Sequence, residues 1–252
     1  MNDKNRKPQI HKTAYVADTV ELGDWSKVGA YSRISGNVKI GRAAYITEHV
    51  TIGGGQQEFG SLMAGDFLGM WDRSFINTAA RVSIGDEVGL GTDTKIYTHG
   101  NYLSEIEGFP FQRGPISIGN NVWIPYAVVL PDVRIGDNVV IMAMSCVARD
   151  LPSGCLAGGM PIRILEKNAY PEIQDARSVF QSIINDAFFY DIHDISYRDT
   201  LLIVGKKTNF YPFSRELIGP ATKDTEIVKS LFRRRGIRFR YYDNQGVYTE
   251  WD

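Results

Sequence analysis

Aliphatic side chains stand at strict six-residue intervals near the start of this chain, at Ile10, Val16, Leu22, Val28, Ile34, Ile40, Ile46 and Ile52. The pattern returns at Ile84, Leu90 and Ile96, again at Ile118, Ile124 and Leu130, and, after one five-residue step, at Ile135, Ile141 and Val147. An α-helix cannot use such a period, because its apolar face returns every 3.6 residues. Short strands joined by corners can. A small or β-branched residue follows most of these aliphatics four places later (Ala14, Val20, Ser26, Ser32, Val38, Ala44, Val50, Val88, Thr94, Val122, Val128, Val139, Ser145), which implies two inward positions per hexad. Glycine follows one place later at Gly23, Gly29, Gly41, Gly53, Gly85, Gly91, Gly119 and Gly136, where a turning chain needs a permissive backbone. Three such sides close one coil, and successive coils stack with backbone hydrogen bonds between them and like aliphatics inside. The sequence therefore predicts a β fold, a parallel β-helix.

Two interruptions break the repeat, from Gly53 to about Asn77 and from Gly100 to about Pro115. The first carries Phe59, Leu62, Met63, Phe67, Leu68, Met70 and Trp71, too much apolar material to stay solvated, and is expected to pack across a neighbouring subunit. Twenty-eight basic residues against 29 acidic leave a formal charge of -1, so no global positive field favours nucleic acid or an anionic surface. Two cysteines, Cys146 and Cys155, supply neither a disulfide framework nor a four-thiolate zinc site. The polar start, MNDKNRKPQIHK, has no apolar signal-like core, and no run is long enough for a membrane span. A cytoplasmic location is the expectation.

The [Leu/Ile/Val]-Gly-x4 pattern resembles the hexapeptide-repeat acyltransferases, and that resemblance implies a left-handed parallel β-helix over roughly Ile10 to Leu165. Within it, Thr98-His99-Gly100, a polar loop, and the run from Gly114 to Ile124 (GPISIGNNVWI) resemble the sugar O-acetyltransferase branch. The run Leu130 to Asn138 (LPDVRIGDN) resembles that branch's next coil, and Gly159-Met160-Pro161-Ile162-Arg163-Ile164 its closing segment. The likeness implies acetyl coenzyme A as acyl donor, held between subunits of a homotrimer, a sugar hydroxyl as acceptor, and direct transfer without a metal. Surface-polysaccharide precursor synthesis is the setting it suggests.

His99 lies three places after Ile96, an outward slot at the root of the second loop, and matches the family's general base. A hydroxyl is a poor nucleophile at neutral pH, and a positioned imidazole can take its proton as the new bond forms. The resemblance implies that the backbone N–H of Tyr126 faces the developing oxyanion, although Pro125-Tyr126 replaces the family's Gly-Ser or Gly-Ala. It implies substrate contacts from Trp123 and from Asn77, which resembles a family asparagine near the acceptor and the histidine, and coenzyme contacts from Tyr126, Ala127, Met144, Ser145, Arg149 and Arg163. Met142 and Met144 stand where the family has glycines, beside the expected coenzyme groove. Glu105 and Glu107, in the loop after His99, could orient its ring or bind acceptor hydroxyls. His11, His49 and His193 lie outside any such motif. A zinc site of the γ-carbonic-anhydrase type would need three convergent histidines, and the close pair it requires is missing.

After Leu165 the hexads stop. The segment from Pro171 to Phe189 has apolar residues at helical spacing, Leu201 to Val204 reads as a strand, and Thr225 to Arg235 reads as a helix capped by Gly236. Ile237, Phe239 and Tyr241 alternate as a last strand. The chain thus divides into 1–165, a β-helix, and 166–252, a small α/β appendage whose basic run (Arg233, Arg234, Arg235, Arg238, Arg240) sits where a helix C-terminus favours cations. Two alternatives stay open for the function: an N-acyltransferase acting on a nucleotide-linked amino sugar, and a non-catalytic β-helix scaffold or binding module.

Overall fold

A computed structural model describes residues 7–54, 60–100, 102–169, 176–205, 207–220 and 222–239. Two compact units are present, 1–171 and 172–252.

The first is a parallel β-solenoid of about seven turns, consistent with a left-handed β-helix. Its first face stacks Gln9–Ile10, Lys27–Val28, Tyr45–Ile46, Gly69–Met70, Gly89–Leu90, Trp123–Ile124, Val140–Ile141 and Leu156–Gly158, closed by the antiparallel Arg163–Glu166. The second stacks Tyr15–Val16, Arg33–Ile34, Thr51–Gly53, Phe75–Asn77, Lys95–Ile96, Ala127–Val129 and Ser145–Val147. The third stacks Val20–Leu22, Asn37–Ile40, Ser61–Ala64, Val82–Ile84, Ile116–Ile118 and Val133–Ile135. In-register pairing lines up the inward aliphatics. On the second face Ile34, Ile52, Ile76, Ile96, Val129 and Val147 form one fully buried column. Hydroxyls that turn inward are satisfied by the neighbouring coil: Ser32 Oγ donates to the Thr47 carbonyl at 2.8 Å and accepts from Val50 N–H at 3.0 Å.

The glycine after each third-face aliphatic is needed for close approach. A Cβ on Gly85 would lie 2.5 Å from Asn120 Oδ1, and one on Gly119 would lie 2.5 Å from Asp137 Oδ1. Those side-chain oxygens accept the backbone N–H of the residue after the glycine one coil earlier: Asn120 takes Asp86 N–H at 2.8 Å and Asp137 takes Asn120 N–H at 2.6 Å. The pairing of glycine with a following Asp or Asn is therefore a ladder that runs from coil to coil. Gly85→Ala should cost about 1–3 kcal/mol through overpacking at this corner, measured by denaturant unfolding.

Two readings from the period need correction. The first interruption is short. The chain has rejoined the prism by Ser61, with Leu62 between Val38 and Val82, Met70 between Ile46 and Leu90, and Ile76 between Ile52 and Ile96. Leu62, Phe67, Leu68 and Met70 are buried in the chain's own core, so they are not available to pack across a neighbour; Phe59 lies outside the described residues. The inserted residues shift the phase, and Ala64 and Met70 fall outside the Leu/Ile/Val set that defined the repeat. The five-residue step lies earlier than expected, at Pro125-Tyr126. Val129, not Leu130, pairs with Ile96 and Val147, and Ala127, not Val128, turns inward.

The second unit is a four-stranded antiparallel sheet, Ile195–Arg198, Leu201–Val204, Thr208–Tyr211 and Glu216–Ile218, with helices Ala176–Phe188 and Lys223–Arg233. Its core gathers Phe180, Ile183, Leu202, Phe210, Leu217, Val228, Leu231 and Phe232. Thr222 and Thr225 close a reciprocal capping box at the second helix's start. At its end Gly236 takes φ 75°, with Ile237 N–H to Phe232 O at 3.1 Å and Gly236 N–H to Arg233 O at 2.9 Å, a Schellman closure. No strand forms at Ile237 to Phe239, and Tyr241 and Arg240 lie outside the described residues, as does the segment 170–175. Within the basic run Arg235 is structural: it bonds Asp186 at 2.6 Å and Ser182 at 2.8 Å.

Candidate active site

The second-face strands Phe75–Asn77 and Lys95–Ile96 run side by side, so the residues that leave this face at its next corner also meet. Asn77, 4% exposed, and Thr98, fully buried, share that corner with His99, which is half-buried. Asn77 Oδ1 lies 2.8 Å from His99 Nδ1, 2.6 Å from Thr98 Oγ1 and 3.1 Å from the Ala79 amide nitrogen. Thr98 Oγ1 in turn accepts Ala80 N–H at 2.9 Å. One ring nitrogen of His99 is thereby occupied by Asn77, and Nε2 has no hydrogen-bond partner among the described residues.

Directly after this contact the chain departs. His99–Gly100 pairs antiparallel with Gln112–Arg113, which makes a two-stranded stem for the second loop. Arg113, opposite His99, donates from its guanidinium to the Ala79 carbonyl and ties the stem back to the corner. A 3-10 turn, Glu105–Glu107, caps on Gly108 at φ 88°. Among the described residues neither Glu105 nor Glu107 bonds His99. Both are exposed, so the expectation that a loop carboxylate orients the ring is replaced by Asn77. The loop carries bare apolar groups: Tyr102 is 97% exposed and Ile106 99%.

Tyr126 sits at the shortened corner with φ 44° and is about half exposed. Most of the equivalent left-handed corner residues donate their N–H to the coil before, as Asp93 does to Asp72 at 3.0 Å and Met144 does to Tyr126 at 2.9 Å. Tyr126 N–H has no acceptor among the described residues. Removing one residue from this side breaks the coil-to-coil bond and frees a donor, a consequence of the Pro125-Tyr126 step.

The other expected contacts divide by orientation. Ala127 and Ser145 are buried, and the Ser145 hydroxyl donates to Met142 O at 2.6 Å while accepting Gly159 N–H at 3.0 Å. Their side chains are therefore not available to a coenzyme, because they fill the prism. Met144 is 60% exposed. Met142 is exposed as well and lies over Gly158, where an added Cβ would come within 3.0 Å of it. Arg149 and Arg163 are exposed, and among the described residues neither guanidinium makes an ion pair or hydrogen bond, although the Arg163 backbone pairs with Gly158. Trp123 packs edge-on against Trp71, ring centroids 5.4 Å apart, above the bare backbone of Gly69 and Gly89. Motif reading assigns no site role to Thr98, although it stands in the Thr98-His99-Gly100 motif, nor to Trp71 or Arg113. Thr98 and Arg113 flank the His99 loop in sequence and register, which is the signal that could have found them. The remaining histidines have local partners: His49 stacks on Tyr31 and His193 on Phe188, while His11 bonds Thr13. No group of three metal-ligating side chains occurs among the described residues.

Residues 115–149 match the family described as bacterial transferase hexapeptide (six repeats). A Saccharomyces cerevisiae protein named as an acetyltransferase, YJL218W, is 39% identical over 92 residues, 35% of this chain and 46% of that one. The galactoside O-acetyltransferase of Escherichia coli is 30% identical over 157 residues, 59% of this chain and 63% of the relative. This chain thus matches about half to two thirds of the length of these relatives. A hexapeptide-repeat-containing acetyltransferase from Vibrio cholerae, solved with acetyl coenzyme A, matches with a TM-score of 0.37 at 25% identity, covering 65% of this chain and 72% of that one. The sequence matches show that this chain carries a hexapeptide-repeat segment at 115–149 and is similar to acetyltransferases built on such repeats.

Proposed function

We propose that the protein transfers an acetyl group from acetyl coenzyme A to a sugar hydroxyl, with His99 as general base. The observation that carries this reading is the His99 corner: an imidazole at a loop root, one nitrogen bound inward to Asn77, the other free to act. The similarity to a galactoside O-acetyltransferase supports the sugar acceptor. In the proposed step Nε2 takes the acceptor's hydroxyl proton, the oxygen attacks the thioester carbon, and the tetrahedral adduct collapses with loss of the coenzyme thiolate. The imidazolium returns its proton to that sulfur, so no covalent enzyme intermediate forms. The free Tyr126 N–H suits the oxyanion, and the unpaired guanidiniums of Arg149 and Arg163 suit the coenzyme's phosphates. A homotrimer with sites between subunits, in the cytoplasm, completes the reading. Among the described residues no helix is long and apolar enough to cross a membrane.

Thiol release from acetyl coenzyme A, measured with a panel of sugars and amino sugars, tests it. Turnover with a hydroxyl acceptor is expected. Turnover only with amines would support N-acyl transfer, and none with any acceptor would support a scaffold. Replacing the amide at Tyr126 by an ester, which deletes the N–H and keeps the side chain, should lower kcat by about 10²–10³-fold. Tyr126→Ala should be far milder, because the donor is backbone.

A further inference from the structure

We propose that Asn77 is a positioning residue that acts on His99 and not on the acceptor: its carboxamide oxygen, locked in orientation, holds the imidazole proton on Nδ1 and leaves Nε2 basic. The inference rests on His99 being the general base.

The donors around the amide fix its orientation. Ala79 N–H can only donate, and it lies 3.1 Å from Oδ1, so the atom in that place is the oxygen and not the NH2. Thr98 Oγ1 already accepts Ala80 N–H, so its own proton goes to Asn77, whose Oδ1 at 2.6 Å and backbone carbonyl at 3.2 Å can only accept. His99 Nδ1 approaches that same oxygen at 2.8 Å and must therefore carry a proton. An amide turned end for end would set its NH2 against Ala79 N–H and leave that donor without an acceptor.

The lock matters because an unconstrained neutral histidine favours the proton on Nε2, the nitrogen that has to be bare for catalysis. Asn77 and Thr98 are buried, so water does not compete for the oxygen. The same geometry argues against an acceptor contact through the amide. Its oxygen is engaged by three donors, and Nδ2 is directed to the Gly54 carbonyl at 3.5 Å.

The tautomer can be read directly, without turnover. The full chain, labelled with 15N-histidine, gives long-range proton–nitrogen NMR correlations for its four histidines, and His99→Gln assigns the relevant set. Wild type should show Nδ1–H at His99. Asn77→Asp, whose carboxylate accepts from the same three donors, should keep that tautomer, lose less than about tenfold in kcat and leave the acceptor KM nearly unchanged. Asn77→Leu should shift the ring to Nε2–H and lower kcat about a hundredfold or more, with both KM values little altered. An Nε2–H ring in wild type, or Nδ1–H surviving in Asn77→Leu, would overturn the proposal. So would an Asn77→Asp protein whose acceptor KM rises while kcat holds, since that places the amide on the substrate. If Asn77→Leu does not fold, the wild-type tautomer and Asn77→Asp decide the matter. Failure of acyl transfer with the tautomer pattern intact would count against the proposed reaction and not against the Asn77 lock.

Discussion

His99→Ala should lower kcat for a sugar hydroxyl by about a hundredfold or more, with the KM for acetyl coenzyme A nearly unchanged. The direction follows from what the ring touches. His99 Nδ1 is bound to Asn77 within the protein, so the ring's work is done at Nε2, on the acceptor's proton. Removing it takes away a group that acts in the transition state and leaves the coenzyme's own contacts in place. A mild loss, less than about tenfold, would point to an amine acceptor, which needs less help from a base. A large rise in the coenzyme KM would mean that the ring binds the donor. Steady-state kinetics with each substrate varied in turn separates the three.

Ile34→Ala should destabilise the solenoid by about 2–5 kcal/mol, the range for emptying a well-packed core position. Ile34 is fully buried and stacks between Val16 and Ile52. Below and above it the column continues in register, so neighbouring coils have little freedom to collapse into the gap. Denaturant unfolding should show a lower midpoint. Because Ile34 lies on coils before the one that carries Asn77, kcat at a temperature well below the transition should hold. A variant as stable as wild type would mean that the column does not supply the solenoid's cohesion.

Much of the first unit is legible from spacing alone, because each coil repeats the same two inward positions. The run from Ile10 to Ile52 and the glycine corners correspond directly to strands and close coil contacts in the structure. What spacing could not carry was phase across an insertion. Ala64 and Met70 occupy inward or stacked positions without being Leu, Ile or Val, so one coil reads as loop. The shortened side at Pro125-Tyr126 was visible as a five-residue step, but placing it correctly required knowing that Ala127 turns inward. In the site, His99 is legible from its slot and its motif, and Asn77 from resemblance as a site residue near it, but the hydrogen bond between the two is not. Asn77 and His99 meet because Ile76 stacks on Ile96, a register that the miscounted interruption concealed. In the second unit, antiparallel strands such as Thr208–Tyr211 and Glu216–Ile218 have no recurring signal, and only Leu201–Val204 was apolar enough to declare itself.

The most direct test of the whole account is a crystal structure of the protein with coenzyme A and a sugar acceptor. The account predicts the thiol beside His99 and a sugar hydroxyl within hydrogen-bond reach of Nε2, about 2.6–3.2 Å. A thiol bound far from that ring, or an imidazole sealed from both ligands by the protein around it, would contradict it.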